Sequence, residues 1–297
     1  MKLILQGMRR SGTTIIYDAL AQDQAWTLWY EPLAAANNPA IGGGSQARDV
    51  DVFADLRVAR QRFAQDTGLP DTEELNFGAP RDTSLEFLPD MPCVIKEYLQ
   101  FLINHPGPVA AKFTRLYAKV PLVHELFPTA GFVHLVRDPR AVAVSYLFGK
   151  NRRYEEDTRS PRVFFGRRSK RSAWSSFPFS EQIRQEYLHE NLPEPTDLER
   201  ILLVWKYTFQ RVRDALPSTY GNRGIMVRHE DFCANPVVEL GRMYSLVERK
   251  VTEPVVSWAC SHLRKPAPIH CDGDRRWRLA LERMKMVELV QACGYEV

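Results

Sequence analysis

Three groups of residues in this 297-residue chain have the types and spacing needed to hold an anion and move a proton. The first is Gly7-Met8-Arg9-Arg10-Ser11-Gly12-Thr13-Thr14. Its glycines let the backbone approach a ligand closely, amides at a helix start point toward negative charge, and the hydroxyls of Ser11, Thr13 and Thr14 can donate to phosphate oxygens. The spacing satisfies G-x-x-x-x-G-K-[ST] at both glycines and departs at the lysine, where Thr13 stands; positive charge enters earlier, at Arg9 and Arg10. The second is Arg137, just past the apolar run Gly131 to Val136, where a guanidinium can grip a phosphate with two parallel hydrogen bonds. An ion pair with Asp138 is the plainer use of that arginine. The third is Glu31 and Lys112, each at the end of an apolar run: a carboxylate to take a proton and an ammonium to offset developing charge. A surface glutamate and an exposed lysine are the plainer readings there.

Such residues must be positioned by strands that end beside them. Lys2 to Gln6 reads as a strand, and Ile15, Ile16, Ala19 and Leu20 follow at helical spacing. Trp26 to Tyr30 reads as a strand stopped at Glu31-Pro32. Val109 to Lys112, Gly131 to Val136 and Ile225 to Val227 are further short strands, the second followed by Asp138 as N-cap and Pro139 as first helical residue of Arg140 to Leu147. Helices are predicted over Val50 to Phe63, Val94 to Ile103, Pro121 to Phe127, Pro236 to Val247, Pro254 to His262, and Trp277 to Cys293 closed by Gly294. Thr196-Asp197-Leu198-Glu199 has the form of a capping box and starts a helix to about Leu216. Strands alternating with helices predict a mainly parallel sheet covered on both faces. With no internal repeat and no linker, residues 1–297 read as one domain. Two stretches, 37–90 and 150–195, break the pattern and read as insertions; the second opens on Lys150 to Arg171, expected as a surface loop with nine basic and three acidic residues.

R-S-G-T-T after the first strand, together with Arg137-Asp138-Pro139 and Ser145 eight residues past the arginine, resembles the paired nucleotide signatures of sulfotransferases that use 3′-phosphoadenosine 5′-phosphosulfate (PAPS). Arg228-His229-Glu230-Asp231-Phe232 with Asn235-Pro236 resembles that family's Y-E-D-L…N-P segment, and Gly273-Asp274-Arg275-Arg276-Trp277-Arg278 its late basic-tryptophan segment. The matches run in the family's order from residue 7 to 278 and are closest to its bacterial branch. The resemblance implies an α/β, P-loop-containing three-layer fold with a central, mainly parallel sheet flanked by helices. It implies PAPS as co-substrate, with the 5′-phosphosulfate held by Arg9, Arg10, Ser11, Gly12, Thr13 and Thr14. The 3′-phosphate would fall to Arg137, Ser145 and one of the late basic residues, Arg264, Lys265, Arg275, Arg276 or Arg278, with Arg276 the choice made here. His229 stands where the family has tyrosine and would touch adenine.

Sulfuryl transfer needs a base for the acceptor proton, positive charge on the oxygens and in-line geometry, and in principle no metal. One branch of the family uses a histidine in K-T-H; Lys112-Phe113-Thr114 keeps the lysine and lacks the histidine. Other branches use a glutamate past the second strand, which Glu31 matches. Apolar Trp29, Tyr30 and Leu33 around it would favour its protonated form. The resemblance thus assigns Glu31 as base, Arg10 to the bridging oxygen and Lys112 to the sulfuryl oxygens; His105 and His270, which flank loops that could reach the site, are the alternatives for the base.

Composition narrows the rest. Forty basic against 36 acidic residues leave +4, enough to favour anionic ligands and too little for a nucleic-acid coat. No run of about 18 apolar residues exists, and the N-terminal apolar stretch is too short for a signal peptide, so a cytoplasmic location is expected. Five scattered cysteines read as free thiols. Aromatics such as Phe53, Phe63, Phe87, Phe165 and Phe179 in the two insertions suggest a partly apolar small-molecule acceptor with a hydroxyl. The competing functions are a kinase-like phosphotransferase and a nucleotide-binding module without catalysis. Nothing fixes an oligomeric state.

Overall fold

The computed structural model describes residues 1–34, 52–69, 84–148, 165–166, 176–187, 191–264 and 275–297. Five strands, β1 (Lys2–Gly7), β2 (Thr27–Tyr30), β3 (Val109–Phe113), β4 (Gly131–Val136) and β5 (Gly224–Arg228), pair in the order β2-β3-β1-β4-β5. Every neighbouring pair is parallel, so all five carboxyl ends lie along one edge. From β1 the chain first fills one side of the sheet with β2 and β3, then crosses to β4 and β5. The direction therefore switches between β1 and β4, which is where open parallel sheets form a binding crevice.

The helices are α1 (Thr13–Leu20), α2 (Ala54–Thr67), α3 (Ser84–Phe87), α4 (Cys93–Ile103), α5 (Val120–Leu126), α6 (Pro139–Phe148) and α7 (Ser176–Gln182). They continue with α8 (Asp197–Tyr220), α9 (His229–Ala234), α10 (Pro236–Ser245), α11 (Glu253–His262), α12 (Arg275–Arg283) and α13 (Val287–Ala292). Side chains alternate across a strand, so β1 sends Leu3 and Leu5 to a core with Ile16, Leu20, Val133 and Leu135, and Ile4 to the larger core with Leu99, Phe132, Leu202 and Trp205. Burial on both faces is the physical content of the three-layer arrangement. Both arms of the capping box form at Thr196 and Glu199.

Several boundaries differ from the sequence pattern. Helix α2 starts at Ala54, after Phe53, and α8 continues through Pro217 to Tyr220. The single helix expected over Trp277 to Cys293 is two, broken where Lys285 takes φ 50° and Met286 N–H reaches back to Leu281 C=O. The aromatics expected at an acceptor pocket are largely core: Phe53, Phe63, Phe87 and Phe179 are all buried. Most of the two insertions, including all of the basic run 150–171 except residues 165–166, lies outside the described residues, as do Lys265 and His270. Four cysteines, Cys93, Cys233, Cys260 and Cys293, are free thiols.

Candidate active site

Each singled-out group sits where a strand ends. β1 runs into the loop Met8 to Gly12, in which Arg10 (φ 71°) and Gly12 (φ 94°) take left-handed backbone and turn the chain sharply into α1. Gly12 is the N-cap and brings no side chain to the first amides of α1; Ile15 N–H reaches back to Gly12 C=O at 3.0 Å. A side chain at Gly12 is excluded twice over. Its φ is one that L residues rarely adopt, and a Cβ would lie 2.4 Å from His229 Nδ1. Ser11 and Thr13 are buried, and Thr14 Oγ1 hydrogen-bonds Tyr30 Oη at 2.9 Å.

Across β3 lies the second group. Register pairs Lys112 with both Leu5 and Tyr30, so Lys112 ends the central part of the sheet on the α1 face. It is buried rather than exposed. Its Nζ donates to Glu31 Oε1 at 2.5 Å and lies 4.2 Å from the centre of the Tyr30 ring. Thr114 Oγ1 donates to Glu31 Oε2 at 3.1 Å, and Glu31 N–H donates to Lys112 C=O at 2.8 Å. Glu31 therefore stands in a polar clasp instead of the apolar surround expected from its sequence neighbours. Its φ of 50° marks a backbone conformation that a glutamate adopts only under constraint.

Past β4, Arg137 Nη1 donates to Arg10 C=O at 3.1 Å, tying the two loops that flank the switch point. Asp138 does not pair with it: that carboxylate caps α6 at Arg140 N–H (2.8 Å) and takes the Arg140 guanidinium at 2.7 Å. Arg137 Nε is buried without a partner among the described residues. Burial pushes the Arg137 guanidinium below its usual range, and Glu230, Cys233 and Asp138 offset that only in part. A buried, under-compensated guanidinium is chemically suited to pair with an anion.

The remaining expectations are met unevenly. Ser145 is half-buried in α6, and its hydroxyl has no partner among the described residues. His229 is buried behind the phosphate loop, against Gly12 and 3.6 Å (Nε2) from Cys233 Sγ. Burial, with Arg137 adding repulsion, pulls its pKa down to about 4, so the ring is neutral at pH 7. Arg276 is exposed at the start of α12, its guanidinium 4.9 Å from the centre of the Phe165 ring. His105 is exposed on the loop after α4, at the end of the sheet where Lys2 begins.

Sequence reasoning missed several groups. Glu230 holds the Arg137 turn, accepting from Asp138 N–H (3.1 Å) and from Tyr295 Oη (2.9 Å), while Trp205 Nε1 donates to Arg137 C=O at 2.9 Å. Beside Arg9 a cavity of about 30 Å3 is lined by Thr114, Arg115, Glu86, Tyr117 and Tyr146. Glu86 Oε1 accepts from Arg115 Nε at 3.0 Å, and Tyr117 Oη donates to Oε2. Burial pushes the Glu86 carboxyl up to about 7, against the pull of Tyr117, Arg9 and Lys119. Arg9 is raised instead: Tyr146, Glu86 and Glu31 outweigh its own burial. Thr114 and Arg115 follow a strand end, the signal that picked out Arg137; Glu86 has no such signal.

The fold and the crevice define an α/β protein of the P-loop type with cations gathered at the carboxyl edge of its sheet. The profile of the sulfotransferase family matches residues 3–176, well over half of the chain, and the chain belongs to that family. Among solved structures, sulfotransferase STF9 from Mycobacterium avium aligns over 100% of this chain and 77% of its own, with TM-score 0.54 and 15% identity. The sulfotransferase domain of the Synechococcus PCC 7002 olefin synthase aligns over 100% of this chain and 96% of its own, with TM-score 0.50 and 13% identity. Likeness at that identity is likeness of fold. No curated protein matches by sequence. Membership favours sulfuryl transfer over the phosphotransferase alternative. No helix of the described residues is long and apolar enough to cross a membrane.

Proposed function

We propose that the protein transfers the sulfuryl group of PAPS to a hydroxyl of a small-molecule acceptor by in-line displacement. The observation that carries this reading is Arg137: a buried guanidinium whose Nε has no partner among the described residues, fastened to the phosphate loop while the adjacent Asp138 carboxylate is taken by Arg140. Arg137, joined by Ser145 and a late arginine such as Arg276, takes the 3′-phosphate; the loop amides with Ser11, Thr13 and Thr14 take the 5′-phosphosulfate. His229 supports Gly12 from behind and is the residue next to adenine on this reading. Arg10 and Lys112 offset charge on the bridging and sulfuryl oxygens as the sulfur–oxygen bond breaks. Lys112 can do so only by loosening its hold on Glu31. Donor binding thus releases Glu31 Oε1 to accept the acceptor proton as the new sulfur–oxygen bond forms.

The test is the affinity of 3′-phosphoadenosine 5′-phosphate (PAP) against adenosine 5′-phosphate. A preference for PAP of about 10- to 100-fold is expected from one charged hydrogen-bonded contact. Arg137→Ala should weaken PAP alone. Equal affinity for the two nucleotides would overturn the reading.

A further inference from the structure

The cavity beside Arg9 adjoins the phosphate loop through Met8 and Arg9, and the chemistry of its other residues bears on the acceptor. Its wall is mixed: Met8, Phe179 and Val204 supply an apolar side, and Glu86 and Arg115, both buried charged groups, face it with Tyr117, Tyr146 and Thr114 beside them. Arg115 is 4% exposed, and its Nη2 is a buried donor with no partner among the described residues. Both Glu86 oxygens already accept one hydrogen bond, and a carboxylate oxygen can accept another. Thr114, just past β3, joins this cavity to the Glu31 clasp, since it lines the cavity and its hydroxyl donates to Glu31. A group seated here thus lies one residue's width from the proposed base.

We infer that this cavity seats a second hydroxyl of the acceptor, next to the one that receives the sulfuryl group, so that the acceptor is a vicinal diol or polyol. The inference rests on the proposed sulfuryl transfer and names the substrate class for that site. A hydroxyl accepts from Arg115 Nη2 and either donates to the ionised Glu86 or accepts from its protonated form, satisfying both at once, whereas an ammonium could not accept from Arg115. The volume, about 30 Å3, admits a hydroxyl with little more than its carbon. Lys119 fixes the wall from outside, its Nζ donating to Leu85 C=O (2.6 Å) and Leu88 C=O (2.7 Å) on either side of Glu86. Glu86, Arg115 and Tyr117 are therefore positioning and specificity residues. They touch the acceptor away from its reacting oxygen.

The test compares cis-cyclohexane-1,2-diol with cyclohexanol, binding to the PAP-saturated protein followed by ligand-observed NMR. The diol should bind about tenfold more tightly, the worth of one hydrogen bond to a charged group. Glu86→Gln and Arg115→Met should each reduce that preference to near unity while PAP affinity stays unchanged. Unchanged PAP affinity also certifies that each variant is folded. Equal binding of the two alcohols by the wild-type protein overturns the inference, as does a preference that survives both substitutions. If the wild-type protein fails to bind PAP, the sulfuryl-transfer reading falls by itself, and the same comparison on the nucleotide-free protein still decides whether the cavity selects diols.

Discussion

At the scale of single residues, the strained Glu31 is the most informative. A glutamate at φ 50° costs on the order of 1 kcal/mol, and the clasp of Lys112, Thr114 and its own N–H to Lys112 C=O holds it there. Glu31→Gln keeps the shape and removes the proton acceptor. Nucleotide affinity should stay near wild type while turnover, followed as PAP release, falls by about 10²–10⁴-fold; turnover unchanged would remove Glu31 as base. This residue was legible because β-strand patterning ended at Pro32, which fixed its place at a strand end. The clasp was not legible, because Lys112 and Thr114 come from a strand more than 80 positions away and only the register of β2 on β3 brings them together. Glu86 was invisible for the opposite reason: no periodic element announces the short helix α3 that carries it.

At the scale of elements, the missed break between α12 and α13 has a specific cause. Helices α10, α12 and α13 all end in the same motif, a residue in left-handed backbone whose successor reaches back five positions: Arg249 N–H to Tyr244 C=O, Met286 N–H to Leu281 C=O, Tyr295 N–H to Val290 C=O. The left-handed residues are Glu248 (φ 53°), Lys285 (φ 50°) and Gly294 (φ 76°). Only the glycine is a sequence signal for such an end, so the stop at Gly294 was foreseen while the break at Lys285 passed for continuous helix. The physics makes a forecast. Lys285→Gly removes the clash of Cβ in left-handed backbone and should raise unfolding free energy by about 0.5–1 kcal/mol, while Gly294→Ala should lower it by a similar amount or more. Denaturant melts read both, and a lysine-to-glycine change that destabilises would contradict this account of the break.

At the scale of the whole molecule, the modest net charge of +4 conceals buried titratable groups that work against one another. His134 lies under the phosphate loop and His229 behind it, and burial brings each down to about 4. Glu86, also buried, is brought up to about 7. Between about pH 4.5 and 6.5 the unfolded chain carries close to two extra protons on the histidines, whereas the folded chain carries close to one extra on Glu86. The difference is about one proton in favour of the unfolded state, so these groups make stability rise with pH there by about 1.4 kcal/mol per unit. Toward pH 7 the unfolded histidines lose their protons and Glu86 begins to lose its own, so the two contributions nearly cancel, and both are complete above about pH 8. His229→Asn should flatten the slope between pH 4.5 and 6.5 by about one proton, and Glu86→Gln should steepen it by about one. Unfolding free energies measured across that range for the three proteins test this directly. Parallel curves would mean that these buried groups do not couple the fold around the phosphate loop to pH.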